Sequence, residues 1–488
     1  MTIKLFNTLT KQIEQLRPLV NTTVRMYSCG PTVYDVAHIG NMRSFLAADL
    51  IQRTVRAVGG YEVRWVMNIT DIDDKTIRDS AVGSDKWLPE MGIQSGDARS
   101  DLRAYTEYYE KLFVEDLAQF GINTEQMAFM PRATEFIPHM QDLIREIVRI
   151  GHGYVSEGSV YFNVDAYSAA HEYGRLFAID KDNFRKGVRI DADEYDRESV
   201  SDFVLWKAAK EGEPAWDFEL DGVVLPGRPG WHIECSAMSK ELLGLPFDIH
   251  TGGVDLRFPH HEDELAQCTS GYHVPEQATI WMHNEFLEVE GMKMSKSLGN
   301  FYTLRDLAAK GLNPLDVRFA MLHAHYRTVL NFTEESVTAS ATSRKKLQDY
   351  VYEVWSACSG VMAESVAGVG LELQSAVFEH LANDIHTPRA LAALFTFVGN
   401  NPVRALSTTG AQEVLRALYT INEVFAVLTI SAKPSVDIPE NVQEIANARW
   451  QARSSKNWAE SDRLREELLR LGWAMNDGKD GFTLEPQS

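Results

Sequence analysis

The sequence predicts an α/β fold built on a parallel sheet. Residues 24–29 and 61–70 have the β-branched and aromatic content of strands, and apolar residues recur at helical spacing between them, over 41–58. Gly59 and Gly60 follow this helix as a stop signal. A strand, a helix and a second strand within about 50 residues form a βαβ unit, whose parallel strands bind ligands at their carboxyl ends.

Length and composition narrow the class of protein. A chain of 488 residues is expected to form about three domains at roughly 150 residues each. The net charge of −21 shows that the chain lacks the excess of basic residues typical of nucleic-acid-binding proteins. A local strip of positive charge would still suffice for such binding. No apolar run reaches the ~20 residues needed to cross a bilayer, and four scattered cysteines suit a reducing compartment. We therefore expect a cytoplasmic protein with no membrane partner.

Changes in sequence texture predict the domain organisation. A pattern typical of helices at 136–150 is followed by a polar stretch at 180–201, and patterns typical of strands return at 247–250 and 281–289. The sequence after residue 335 has mostly helical patterns, and a Pro-containing stretch at 433–439 is typical of a linker. The predicted domains are an α/β domain split between 1–124 and 226–315, an insertion at 125–225, a helical bundle at 316–435 and a small module at 436–488.

Two short motifs are candidates for binding phosphate groups. His38-Ile39-Gly40-Asn41 lies between the first strand and its helix, where a helix N-terminus can bind an anion, although alone it could be an ordinary loop. Lys293 and Lys296, in KMSKS at 293–297, can reach a polyphosphate from one side, although lysine pairs usually lie in solvated loops. In this order, the two motifs together resemble the paired signatures of class I aminoacyl-tRNA synthetases. The chain contains neither G-x-G-x-x-G nor the P-loop pattern.

Further segments make the resemblance closer, and the whole chain is similar to the cysteinyl-tRNA synthetases. The matching segments are MYSCGPTVYD at 26–35, NITDIDDK at 68–75, GWHIECSAM at 230–238, TGGVD at 251–255, FPHHE at 258–262 and KMSKSLGN at 293–300. The resemblance implies a Rossmann-like catalytic domain with a connective insertion, a stem-contact and helical bundle domain, and an anticodon-binding module. It also implies that L-cysteine is attached to tRNA(Cys) through a cysteinyl-adenylate, with Mg²⁺ accompanying ATP.

A metal site follows partly from residue chemistry and partly from the resemblance. Cys29 ends the first strand, and a helix opened by Pro259 would put His260 and Glu264 on one face. Two thiolates, an imidazole and a carboxylate form a sensible zinc set, although buried cysteines and a helix-end histidine are the simpler interpretation. The resemblance maps one zinc ion onto Cys29, Cys235, His260 and Glu264, with His261 as the rival ligand. Such an ion would select the cysteine thiolate over the serine hydroxyl.

The resemblance also implies roles for other residues. His38, Gly40, Asn41, Lys293 and Lys296 are predicted to bind ATP, and all but Gly40 to act in catalysis. Asn41 stands where the class often has histidine, so it can donate a hydrogen bond but carries no charge.

Three residues match positions of the cysteine pocket. They are Thr70, Trp231 and Asp255, with Asp255 as the residue that receives the substrate ammonium. Each of the three also has an ordinary structural interpretation: Trp231 as a core aromatic, and Thr70 and Asp255 as turn or capping residues.

The last module holds candidate RNA contacts. Basic residues at helical spacing with a neighbouring Trp458 suit single-stranded RNA, although a solvated amphipathic helix fits equally well. The chain ends with Gly481-Phe-Thr-Leu484 where the family has Gly-Thr-x-Trp. The resemblance makes the candidate anticodon readers Arg449, Arg453, Trp458, Asp462 and Asp477.

Two other functions remain open at this stage. A cysteine ligase of mycothiol synthesis would share the zinc site and adenylate chemistry but join cysteine to an amino sugar. It resembles only the catalytic part, so the roughly 170 residues beyond the catalytic core, as judged from the predicted boundaries, disfavour it. A non-catalytic RNA-binding relative is disfavoured by the intact lysine loop and metal-ligand types. We expect a monomer that binds ATP, L-cysteine and tRNA(Cys).

Overall fold

The computed structural model describes residues 1–81, 96–177, 202–294, 298–434, 437–478 and 481–484, with the backbone of 185–186, 199–200 and 485–486. These residues form two compact units, Met1–Ile430 and Ser431–Ser488, which are described separately below.

The strands are numbered in chain order. They are β1 Lys4–Asn7, β2 Gln12–Gln15, β3 Thr23–Ser28, β4 Glu62–Met67, β5 Met127–Phe129, β6 Gly153–Ser156, β7 Ser159–Phe162, β8 Arg185–Lys186, β9 Ser199–Val200, β10 Phe203–Ala208, β11 Glu219–Leu220, β12 Val223–Val224, β13 Gly227–Pro229, β14 Phe247–Gly253, β15 Ala278–Asn284, β16 Leu287–Val289, β17 Met292–Lys293, β18 Leu330–Phe332, β19 Trp473–Asp477 and β20 Phe482–Pro486.

The helices are numbered in the same way. They are α1 Ile39–Ala57, α2 Asp74–Ala81, α3 Ala98–Gln119, α4 Ile137–Arg149, α5 Val164–Ser168, α6 Trp231–Leu243, α7 His260–Gly271, α8 Leu304–Ala309, α9 Pro314–Leu322, α10 Glu334–Ala357, α11 Gly368–Ala382, α12 Thr387–Asn400, α13 Thr408–Phe425, α14 Glu440–Ser454 and α15 Trp458–Arg470.

A parallel sheet organises the first unit. Its order is β15-β14-β3-β4-β5, and each neighbouring pair is parallel. The predicted βαβ unit is confirmed, because β3 and β4 run parallel on either side of α1. The apolar face of α1 is buried as its spacing predicts, with Phe45, Leu46, Leu50 and Ile51 at most 5% exposed. The α/β fold class is therefore confirmed, with the carboxyl ends of β3, β4 and β14 at one edge.

One sequence expectation differs from the structure. The apolar run at 281–289 forms two strands, because the chain leaves the central sheet after β15 and the Glu285 N–H donates to the Tyr326 carbonyl. The following strand, β16, pairs with β17 and β18 in a separate sheet.

An antiparallel sheet with the order β13-β10-β7-β6 lies within residues 125–225 and the residues just after them. The edge strand of the central sheet, β5, also falls within that range. Helix α4 packs against α6 and α7, and its buried residues Met140, Leu143, Ile144 and Ile147 belong to the core that underlies this sheet. The polar stretch at 180–201 lies largely outside the described residues.

Helices dominate the remainder of the first unit. α11 packs against both α12 and α13, and α10 packs against α13. A buried ion pair joins α1 to α9, since Arg318 donates to Asp49 at 2.6 Å and both side chains are fully buried. Arg318 also donates to the Phe425 carbonyl at the end of α13, so its side chain connects α1, α9 and α13 through polar contacts.

The second unit contains α14, α15 and the β19–β20 hairpin. Val442, Ala446, Leu468 and Trp473 form its buried apolar core. The final strand forms despite the departure from the family's ending, because Met475 pairs with Leu484 in an antiparallel register. Among the described residues of both units, no helix has the length and apolar character to span a membrane.

Candidate functional site

A cavity of about 310 Å³ opens at the carboxyl ends of β3, β4 and β14. Parallel α/β sheets bind ligands at this edge, because the loops and helix N-termini that follow the strands converge there. The structure brings most of the predicted site residues to its walls: Cys29, His38, Asn41, Thr70, Trp231, Cys235, Asp255 and His260.

The N-terminus of α1 forms one wall of the cavity. The His38 Nδ1 accepts a hydrogen bond from the Asn41 N–H, and the Asn41 Oδ1 accepts one from the His38 N–H, both at 3.2 Å. This reciprocal cap commits Nδ1 as an acceptor, so the ring proton of a neutral His38 lies on Nε2. The His38 Nε2 and the Asn41 amide nitrogen are therefore the donors that this turn offers a ligand.

Gly40 is the close approach between the two phosphate motifs. A Cβ atom at Gly40 would lie 2.7 Å from the Met294 Cε and 2.9 Å from the His38 ring. A side chain here would therefore displace either the capping histidine or the end of the Met294 side chain, which adjoins Lys293.

The two lysines of the second motif are placed differently. Lys293 is exposed on β17, and it is not among the described residues that line the cavity. Its carbonyl accepts a hydrogen bond from the Asn300 side chain at 3.2 Å, which connects the two ends of this loop. Lys296 lies outside the described residues.

Four predicted metal ligands meet beside the cavity. The ligand atoms of Cys29, Cys235, His260 and Glu264 all lie within 4.8 Å of one another. The two sulfurs are 4.0 Å apart, and the His260 Nε2 is 3.1 Å from the Glu264 Oε1. Two thiolates bound at about 2.3 Å to a tetrahedral zinc would be about 3.8 Å apart, so this donor set fits the ion with little movement.

A second donor set overlaps the first. Cys29, His250, His261 and Glu264 also lie within 4.8 Å of one another, with the His261 Nε2 3.2 Å from the Cys29 sulfur. The two sets differ in their access to the cavity, because Cys235 and His260 line it, whereas His250 and His261 do not. Zinc also prefers the set with two thiolates. The first set therefore has the better chemistry for an ion that contacts a ligand in the cavity.

Buried histidines surround the ligand cluster. The His260 Nδ1 lies 2.7 Å from the His232 Nδ1, which leaves the His260 Nε2 directed at Glu264. Burial lowers the pKa of His232 to about 3 and lowers the pKa of His260 well below its usual value. These rings are therefore neutral at physiological pH, and neutral imidazole is the form that coordinates a metal. Burial also raises the pKa of the Cys29 thiol, so a nearby cation is needed to favour its thiolate.

The start of α6 brings two predicted site residues and a buried carboxylate to one face. Trp231, Glu234 and Cys235 have i, i+3 and i+4 spacing, which aligns their side chains. The Trp231 ring stacks on His260 with centroids 4.1 Å apart, so the indole packs on a predicted metal ligand.

Asp255 reaches the cavity from the loop that follows β14. A Cβ atom at Gly253 would lie only 2.3 Å from the Asp255 Oδ1, so a side chain at this position would have to displace the carboxylate. Asp255 is exposed, and it thus presents a negative charge to both the cavity and the solvent.

The predicted RNA contacts of the second unit fall into two groups. Arg449 is buried and donates two hydrogen bonds to Asp477 at 2.8 and 3.1 Å, and Arg453 approaches the same carboxylate at 3.2 Å. These bonds hold the pKa of Asp477 below its usual value. Trp458 is 57% exposed at the start of α15, and Asp462 is also exposed on that helix.

Several residues of the cavity and its surroundings were not predicted from the sequence. Asn68 is the least obvious, because its Oδ1 accepts the Gly30 N–H at 2.9 Å while its Nδ2 donates to the Thr70 hydroxyl. Its motif, NITDIDDK, was the available signal and also contains Lys75, and Tyr34 and Asp35 likewise lie in the motif MYSCGPTVYD. The other missed residues had no such signal, because their contacts depend on tertiary packing. The other missed cavity residues include Tyr34, Asp35, Lys75 and Phe301, and the missed histidines are His250 and His283.

Comparisons with known proteins show the family of this chain. A family model described as the catalytic domain of class I (C) tRNA synthetases matches residues 15–342. A cysteine–tRNA ligase of Chlamydia caviae is 40% identical over 487 residues, which cover 98% of this chain and 96% of that protein. A cysteine–tRNA ligase of Solibacter usitatus is 38% identical, and the match covers 99% of both chains.

Solved structures share the fold at low identity. The methionyl-tRNA synthetase of Mycobacterium tuberculosis, in complex with methionyl-adenylate, superposes with a TM-score of 0.57 at 14% identity, covering 90% of this chain and 96% of the other. A putative arginyl-tRNA synthetase from Campylobacter jejuni has a TM-score of 0.55 at 12% identity, covering 85% and 94%. These matches support the fold alone.

Proposed function

This chain is a ligase that belongs to the cysteine–tRNA ligase family of class I synthetases, and from that premise we propose that it joins L-cysteine to tRNA(Cys) through a cysteinyl-adenylate. Synthetases of this family act on ATP, an amino acid and a tRNA. The observation that carries the specificity for cysteine is the cluster of two thiols, an imidazole and a carboxylate beside the cavity.

The cluster is proposed to hold one zinc ion through Cys29, Cys235, His260 and Glu264. The sulfur–sulfur distance of 4.0 Å and the cavity-facing positions of Cys29, Cys235 and His260 support this assignment. When bound, the ion would coordinate the substrate thiolate, whereas a serine hydroxyl stays protonated at neutral pH and binds poorly. A shaped pocket alone distinguishes two side chains of nearly equal size by only about 1–3 kcal/mol, so metal coordination would supply the missing selectivity.

The N-terminus of α1 is proposed to bind the phosphates of ATP. His38 and Asn41 offer side-chain donors, and Gly40 lets the side chain of Met294, the neighbour of Lys293, approach them. Attack of the cysteine carboxylate on the α-phosphorus releases pyrophosphate, and this step depends mainly on positioning and charge neutralisation. Lys293 and Lys296 are assigned to the pyrophosphate charge, with Mg²⁺ accompanying ATP.

The amino acid is proposed to lie between Thr70, Trp231 and Asp255. All three side chains line the cavity next to Cys29 and Cys235, which supports a shared role in holding one small substrate. Asp255 would neutralise the substrate ammonium, because its carboxylate carries the opposite charge.

The second unit is proposed to read the anticodon through Arg449, Arg453, Trp458, Asp462 and Asp477. Exposed Trp458 supports base stacking, and Arg453 offers a cation for phosphate in an otherwise acidic chain. The predicted domain boundaries, the monomeric state and the cytoplasmic location are part of the same proposal.

Transfer of labelled cysteine to acid-precipitable tRNA tests the function directly. With ATP and total tRNA, we expect transfer that depends on all three substrates. Absence of transfer with cysteine-dependent pyrophosphate exchange intact would show that the adenylate serves another acceptor, such as an amino sugar. Absence of both activities would contradict the proposal and favour a non-catalytic RNA-binding protein.

A further inference from the structure

Thr70 is held by two hydrogen bonds at the wall of the cavity. Its hydroxyl donates to the Glu234 Oε2 at 2.8 Å and accepts a hydrogen bond from the Asn68 Nδ2 at 3.2 Å. Thr70 and Asn68 are each 1% exposed, and Glu234 is fully buried. The direction of each bond is thus set by buried groups that water does not reach.

The orientation of the Asn68 amide follows from its other partner. The Gly30 N–H donates to the Asn68 Oδ1 at 2.9 Å, so the amide oxygen faces the backbone of the first βα loop. The Asn68 Nδ2 must then face Thr70 as a donor. This arrangement fixes the Thr70 oxygen as the acceptor of that bond.

Glu234 lies behind the residues that line the cavity. It lies in the first turn of α6 with Trp231 and Cys235, which line the cavity, but it is not itself among the described lining residues. Any effect of Glu234 on a ligand in the cavity therefore passes through a neighbour, and Thr70 is a cavity-lining residue to which it is hydrogen-bonded.

The chemistry of a hydroxyl decides what Thr70 can offer. A hydroxyl has one proton and two lone pairs, and here the proton goes to Glu234 and one lone pair goes to Asn68. The second lone pair is what Thr70 can present to the cavity. It attracts a donor such as an ammonium group and repels a carboxylate oxygen.

We propose that Glu234 is a positioning residue that fixes the Thr70 hydroxyl as an acceptor for the α-ammonium of the amino acid. Thr70 would thereby join Asp255 in recognising the positive end of the substrate, so that the carboxylate is directed elsewhere. This inference rests on the proposed function, because it takes cysteine as the ligand of the cavity.

Three thiols distinguish recognition of the substrate's ammonium group from recognition of its carboxylate. L-Cysteine carries both ammonium and carboxylate, cysteamine carries only the ammonium, and 3-mercaptopropionate carries only the carboxylate. The KM for cysteine in pyrophosphate exchange and the inhibition constants of the two analogues are measured for Thr70→Val, Glu234→Leu and the double variant. Bound zinc is measured for each protein, because Cys235 adjoins Glu234.

We expect Thr70→Val and Glu234→Leu each to weaken cysteine and cysteamine about tenfold or more, as loss of a hydrogen bond to a charged group does. The inhibition constant of 3-mercaptopropionate should change less than about twofold, and zinc content should not change. The double variant should lose no more than either single variant, because Glu234 acts through Thr70. The conservative changes Thr70→Ser and Glu234→Gln keep the donor and the acceptor oxygen, so both should restore near-normal constants.

Thr279→Val provides a matched control. The Thr279 hydroxyl donates to the Asp248 carbonyl on the same sheet, and this residue is not among the described lining residues. Its three constants should match those of the unaltered enzyme.

Two results would overturn the inference. Selective weakening of 3-mercaptopropionate would mean that Thr70 donates to the carboxylate, and equal weakening of all three thiols would mean a general structural role. If the unaltered enzyme shows no cysteine-dependent exchange, the proposed function fails, and this inference fails with it.

Discussion

At the residue scale, Cys29 and Cys235 have their sulfurs 4.0 Å apart although 206 positions separate them in the chain. Each belongs to a different part of the catalytic fold, since Cys29 follows β3 and Cys235 lies in α6. Their meeting depends on the packing of α6 near the end of the sheet. A thiol that is buried without a cation stays protonated, so the chemistry of both residues depends on the ion they are proposed to bind.

Replacing Cys235 by alanine should abolish both bound zinc and cysteine activation, because the remaining three ligands leave the ion incompletely coordinated. The measurements are metal content and cysteine-dependent pyrophosphate exchange. Cys358→Ala is the matched control, since Cys358 is also buried but lies at the end of α10. Full exchange activity in a zinc-free Cys235→Ala protein would disprove the role of the metal in substrate recognition.

Replacing Lys296 by alanine should lower kcat in pyrophosphate exchange by about tenfold or more and leave the KM for cysteine nearly unchanged. A cation that meets charge developing on the leaving group acts mainly in the transition state. Lys210→Ala, which removes an exposed lysine outside the lining of the cavity, is the control. An unchanged kcat would remove Lys296 from the mechanism.

At the element scale, the N-terminus of α1 combines a helix cap with the proposed phosphate site. The reciprocal bonds between His38 and Asn41 fix the first turn, and the close approach at Gly40 joins it to Met294. The helix dipole favours an anion at this end. The same residues thus set the geometry of the helix and of the proposed ATP site.

Gly40→Ala should reduce exchange activity strongly while changing the unfolding temperature little. The added methyl would contact the His38 ring, which belongs to the proposed ATP site, and the flexible Met294 side chain, which adjoins Lys293. Gly399→Ala is a matched control in α12, where an added Cβ meets no atom within 4 Å. That control should keep full activity and gain up to about 1 kcal/mol of stability. Normal kinetics for ATP in Gly40→Ala would contradict the close-approach argument.

At the scale of the whole molecule, the two compact units have separate apolar cores and separate sets of ion pairs. The first unit buries the Asp49–Arg318 pair, while the second depends on Asp477 with Arg449 and Arg453. Adenylate formation is proposed for the first unit and anticodon reading for the second. Damage to the second unit should therefore affect tRNA charging without affecting pyrophosphate exchange.

Asp477→Asn should destabilise the second unit by about 1 kcal/mol at neutral pH, after allowance for solvent screening. Hydrogen bonds from Arg449 lower the folded pKa of Asp477, so this stabilisation is complete above the unfolded value of about 4. It is lost as the pH falls through the lowered folded pKa. Amide exchange in α14 and β19 of the full chain should be faster in the variant at pH 7, with β3 and β4 unaffected. A difference that grows at acid pH would show the opposite sign.

The sequence predicted local elements better than the surroundings of the site. Residues 24–29, 41–58 and 61–70 carry enough periodicity to indicate β3, α1 and β4 within a few positions. The break after β15 was not predicted, because Glu285 leaves the sheet through a contact with Tyr326 that is distant in sequence. His250 and His283 likewise gave no local signal, since only packing brings them to the metal ligands, whereas His261 was predicted as a rival ligand from its place beside His260.

The sequence by itself determined the α/β class, the family and the residue types available for catalysis, because periodicity and short motifs are properties of neighbouring residues. Only the tertiary structure decided which of two donor sets opens into the cavity, and that Glu234 is bonded to Thr70. Such choices depend on distances of a few ångströms between atoms far apart in the chain. Hydrogen-bond direction and burial are fixed only when the sheet, α6 and α7 have packed together.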